Sequence, residues 1–88
     1  MEIHAVVADV DAKEHFIETY SNVEEYEKAK KKRLKEESSL EFVGRFTDCK
    51  RAIREARIMS KPSYAKGWSY NKSRNIIIGI WLEELIWQ

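Results

Sequence analysis

Two stretches of this sequence read alike at an offset of 26 residues, and each runs from strand-forming residues into a helix start. Phe16, Ile17, Tyr20, Ser21 and Asn22 match Phe42, Val43, Phe46, Thr47 and Asp48 in order and spacing. Aromatic and β-branched side chains suit a pleated, half-buried strand. Ser, Thr, Asn and Asp accept hydrogen bonds from the free N–H groups at the start of a helix. Shared strand-cap-helix chemistry accounts for the likeness more readily than an internal duplication. Either origin gives the order strand, helix, strand, helix in the middle of the chain.

The flanking segments complete the pattern. Ile3 to Ala8 is short, apolar and β-branched, which predicts a strand. Asp9 to Lys13 is polar and turn-like, and His15 to Tyr20 follows as the second strand of a hairpin. The first helix is expected from the Ser21-Asn22 cap to about Glu37. Glu24 and Glu25 in its first turn and Lys30 to Lys35 near its end complement the helix dipole. Its apolar stripe is thin (Val23, Tyr26, Ala29, Leu34), so most of it must face water. Leu40 to Phe46 is the third strand, and Thr47-Asp48 caps a second helix that ends before Lys61-Pro62. Cys49, Ala52, Ile53, Ala56 and Met59 give that helix one buried face. Ser63 to Tyr70 alternates as a strand, with Tyr64, Lys66, Trp68 and Tyr70 on one side. Asn75 to Leu82 is a last long strand, extended by Leu85 to Trp87 past a bend at Glu83-Glu84.

The expected fold is therefore a single α+β domain over residues 1–88, of order β-β-α-β-α-β-β. It has a four- or five-stranded sheet with two helices packed on one face. The composition is globular, 43% hydrophobic and 35% charged. The longest apolar run, Ile76 to Leu82, is far short of the ~20 residues a membrane span needs. No basic lead precedes an apolar stretch at the N-terminus, so no signal peptide and no membrane partner are expected. The one cysteine, Cys49, fits a reducing, cytoplasmic compartment.

A net charge of +1 conceals a strongly divided chain. Residues 1–44 carry 7 basic and 11 acidic groups, whereas residues 45–74 carry 9 basic and 2 acidic. Lys50, Arg54, Arg57 and Lys61 share a flank of the second helix, and Lys66, Trp68 and Tyr70 follow. Cations neutralise phosphate and aromatic faces stack bases, so these seven residues form a candidate site for nucleic acid or a nucleotide-like anion. Lys30 to Arg33 with Lys35 is read as a solvated helix end.

Signs of catalysis or metal binding are sparse. Asp9 and Asp11 with His15 offer too few oxygen ligands, and no Gly-pinned loop, to hold a hard cation. His4 has no partner at ligand spacing. Cys49 falls on the apolar stripe and reads as a buried structural thiol, not a nucleophile. Ser38-Ser39 has no base nearby. The three glycines are too far apart for a phosphate-binding loop. No catalytic residues, metal ligands or cofactor are assigned.

The expectation is a small non-enzymatic binding protein, of inhibitor or adaptor type, that works through protein contact and associates with itself. With both helices on one face, the other face of the sheet would expose Ile77, Trp81 and Trp87 as an interface. The alternative is nucleic acid or nucleotide binding through the 45–74 block.

Overall fold

The computed structural model describes residues 1–63 and 65–78. Strands β1 (Ile3–Asp9) and β2 (Glu14–Tyr20) form an antiparallel hairpin in the register Ile3 with Tyr20 and Val6 with Ile17. In the turn between them, the Asp9 carboxylate accepts from the Ala12 N–H at 3.1 Å and Lys13 takes a left-handed conformation (φ 55°). Helix α1 (Val23–Glu36) follows, then β3 (Leu40–Phe46) and helix α2 (Cys49–Met59). A two-residue strand β4 (Ser69–Tyr70), a 3-10 turn (Lys72–Arg74) and β5 (Ile76–Ile78) come last. The sheet runs β3, β1, β2, and β2's outer edge carries β4 beside Glu14–His15 and β5 beside Glu18–Tyr20, both parallel to it. No helix among the described residues is long and apolar enough to cross a membrane.

The two helices lie on opposite faces of this sheet, which corrects the expectation of one shared face. Ile3, Ala5, Val7, Phe16 and Tyr20 pack with Tyr26 and Ala29 of α1. The alternate residues Val6 and Ile17 pack with Ala52 and Ala56 of α2. Chain direction accounts for the arrangement. α1 carries the chain from β2 past β1 to β3, and α2 carries it back from β3 to β4. Strands β2, β3 and β4 run the same way, and crossovers between such strands are almost always right-handed. Two right-handed crossovers that move in opposite directions over a sheet fall on opposite faces. All seven residues of β1 are consequently buried. Each large apolar side chain taken fully from water there contributes ~1.5–3 kcal/mol.

A β-bulge ends the likeness between β2 and β3. Val6 pairs with Gly44 but Val7 pairs with Phe42, so Val43 is an extra residue, 41% exposed. The slip turns Phe42 toward α1 and Phe46 toward α2. Their counterparts Phe16 and Tyr20 share one face.

Helix α1 does face water over most of its surface, and a buried ion pair supplements its thin apolar stripe. Glu18 has no solvent exposure. Arg33 donates to its Oε2 from Nη2 at 2.6 Å and from Nε at 3.2 Å, and the Tyr20 hydroxyl donates to its Oε1 at 2.5 Å. Burial, reinforced by this carboxylate, pushes the Tyr20 hydroxyl pKa far up. Arg33 therefore leaves the solvated basic cluster, whereas Lys31, Lys32 and Lys35 remain exposed.

Two further expectations change. Cys49 is exposed. A helical side chain covers the turn N-terminal to its own Cα, and Cys49, the first residue of α2, has no such turn beneath it. The strand expected over Ser63 to Tyr70 shrinks to Ser69–Tyr70, because the chain turns at 65–67 with Gly67 at φ +86°. Of the last strand, Ile76–Ile78 is formed; residues 79–82, 85–87 and Tyr64 lie outside the described residues.

Candidate interface on helix α2 and the adjoining cleft

Helix α2 is positioned by its cap and its small buried residues. The Asp48 carboxylate accepts from the Lys50 N–H at 3.0 Å. Ala52 and Ala56, both fully buried, let the helix approach the sheet closely. The helical repeat then directs Lys50, Arg54 and Arg57 outward, and Lys61 follows just past the helix end. These four cations border a shallow apolar groove floored by Ile53 and Ile58. All four are exposed.

Ion pairing divides the basic block. Arg45 pairs with Glu27 at 3.5 Å, and Arg74 with Asp9 and Glu14 at 2.9 Å each. Burial alone would raise the Asp9 pKa, but the Ala12 N–H and Arg74 outweigh it and hold the carboxyl below its usual value. Lys50, Arg51, Arg54, Arg57, Lys61, Lys66 and Lys72 make no ion pair among the described residues. Two of these seven lie over aromatic rings: Arg51 over Phe46 at 5.3 Å and Arg57 over Tyr70 at 5.7 Å.

The expected aromatic half of the site is split. Tyr70 packs into the α2 core cluster, and its hydroxyl accepts from Asn75 Nδ2 at 2.7 Å. Lys66 is exposed in the turn that replaces the expected strand. Trp68 lies against His15, ring centroids 4.7 Å apart and planes tilted by 35°. Together they line a second cleft of about 520 Å³ with Ala8, Glu41, Val43, Ile58, Met59 and Ala65. Ile58 borders both the basic groove and this cleft.

His15 is 6% exposed, and its protonation follows from its partners. The Ser60 hydroxyl donates its one hydrogen to the Ala56 carbonyl at 2.8 Å. Its contact with His15 Nδ1 at 2.7 Å must then be accepted, so Nδ1 carries the proton. Burial pushes the imidazole pKa down, which favours the neutral ring. Nε2 is left as a lone-pair acceptor and makes no hydrogen bond among the described residues.

Sequence reasoning missed His15, Ser60, Glu41 and Ile58. One signal was available: Ser60 continues the buried stripe four residues past Ala56, and a polar group there needs a partner. His15 does not join Asp9 in a metal site, because their positions alternate across the sheet. No group of three His, Cys, Asp or Glu among the described residues has metal-site geometry. Of the expected interface residues, Ile77 is 38% exposed on β5, and Trp81 and Trp87 lie outside the described residues. Comparison with protein-family models, with curated proteins and with solved structures yields no match.

Proposed function

We propose that this chain is a non-enzymatic binding protein that holds nucleic acid through the exposed face of α2. The observation that carries the reading is the row Lys50, Arg54, Arg57 and Lys61 around one groove, with no ion pair to any of them among the described residues. Lys50 to Arg57 spans about 10 Å of helix axis, a reach that takes in neighbouring phosphates. Cations so placed gain by releasing counterions from a phosphate backbone. A reducing cytoplasm, where an exposed Cys49 stays a thiol, is the compartment this reading assigns. Titration with mixed oligonucleotides at low salt tests it, with polyglutamate as competitor. Binding that polyglutamate displaces poorly supports nucleic acid. Equal displacement points to an acidic protein, and no binding overturns the reading.

Self-association is the second reading. Its original premise, a sheet face without a helix, is removed by α2. It now rests on Ile76 and Ile77, 39% and 38% exposed on a three-residue strand. Light scattering at micromolar concentration should then give a dimer that Ile77→Lys returns to monomer. A native monomer ends this reading.

A further inference from the structure

We infer that α2 seats in the major groove of a B-form DNA duplex, with Arg51 and Arg57 each reaching the phosphates of one groove wall. The inference rests on the α2 reading and adds strandedness, a groove and a second flank of cations to it. The observation behind it is that these two arginines lie on opposite flanks of the helix. Six residues at 3.6 per turn put them about 120° apart around the axis, with Arg54 between them at the outermost position. Their ring partners agree. Arg51 lies over Phe46 of β3 at 5.3 Å, and Arg57 over Tyr70 of β4 at 5.7 Å. In the sheet order β3-β1-β2-β4 those strands are the outer two, and α2 packs on Val6 of β1 and Ile17 of β2 between them. All three arginines are exposed. A guanidinium already held against a ring gives up less freedom when it meets a phosphate.

The dimensions fit a duplex. A helix with its side chains is ~10–12 Å across, and the major groove of B-DNA is ~12 Å wide and ~8.5 Å deep. A helix seated there has the phosphates of one strand on each side, where Arg51 and Arg57 stand. Lys50, Arg54 and Lys61 add charge between those walls. A single strand offers one row of phosphates and is otherwise held by bases stacking on aromatic rings. Phe46 and Tyr70 pack in the α2 core cluster beneath these guanidinium groups, which leaves a base little ring to stack on. The major groove of A-form RNA is too deep and narrow for side chains to read. Two carboxylates lie on the β3 side, both nearer the C-terminal end of α2. Glu55 is one turn past Arg51, and Glu41 lines the cleft with Ile58 and Met59. The groove wall on that side therefore meets the protein at Arg51.

The test is fluorescence anisotropy at about 50 mM salt with a short labelled DNA duplex, its separated strands and the RNA duplex of the same sequence. The DNA duplex should bind about 10-fold more tightly than either strand or the RNA duplex, the worth of one phosphate contact at that salt. Arg51→Gln and Arg57→Gln should each reduce the steepness of log affinity against log salt by about 1 on the DNA duplex. Lys72→Gln, the same charge change at an exposed site off the helix, should leave it unchanged. Bulky groups at thymine C5, which projects into the major groove, should block binding. Three results overturn the inference and leave the α2 reading standing. The first is a single strand or an RNA duplex bound as tightly as the DNA duplex. The second is a duplex slope that Arg51→Gln leaves unchanged. The third is full affinity for the duplex blocked at C5. Failure of every oligonucleotide to bind would remove both readings.

Discussion

Arg33 Nη2 lies 2.6 Å from Glu18 Oε2, and this contact anchors a largely polar helix to the sheet at a carboxylate that no water reaches. Without it, α1 would hold the sheet mainly through Tyr26 and Ala29.

Removing either partner strands a buried charge. Arg33→Met should cost ~3–5 kcal/mol in urea unfolding, because Glu18 is then uncompensated. The double variant Glu18→Leu/Arg33→Met should recover much of that loss, since the desolvation cost disappears with the charges. A double variant as unstable as the sum of the singles would show that the pair is not coupled.

His15 gives stability a pH dependence of known sign. Its pKa is depressed in the folded chain by burial, whereas the unfolded chain protonates near ~6.5. Between the two values the unfolded state holds more protons. The stability from the neutral ring is therefore complete above about pH 6.5 and is lost as pH falls toward the folded value. Asp9, held below the usual carboxylate range, titrates under this window. His15→Gln should flatten the decline between about pH 7 and 5.5 in chemical unfolding. Parallel declines in both proteins would place the pH dependence elsewhere.

The cap at Asp48 sets where α2 begins and hence the direction of its cations. Asp48→Ala removes the acceptor for the Lys50 N–H and should cost ~0.5–2 kcal/mol. A neutral result in thermal unfolding would mean that the first turn is held by other contacts.

Local chemistry was legible in the sequence, and face assignment was not. Asn22 and Asp48 are the caps expected of them. The strand over Leu40–Phe46 and the hairpin of β1 and β2 follow the apolar pattern to within a residue or two. The side of the sheet taken by α2 depends on the direction of the crossover, which no local pattern encodes. One clue was present, since Val6 and Val7 are adjacent and apolar, as in a strand covered on both faces. Gly67 breaks the alternation of Ser63 to Tyr70, and that turn moves Trp68 off the strand and against His15. The Glu18–Arg33 pair was illegible because partners 15 residues apart meet only once α1 lies along the sheet. The four α2 cations were readable because helical spacing alone brings them together.

The salt dependence of oligonucleotide binding, compared between the native chain and Arg54→Ala/Arg57→Ala, tests the α2 surface most directly. With four cations on phosphates, the slope of log affinity against log salt should be about −3 for the native chain and roughly half that for the variant. A slope that the double substitution leaves unchanged, or no binding at low salt, would contradict nucleic-acid binding through α2.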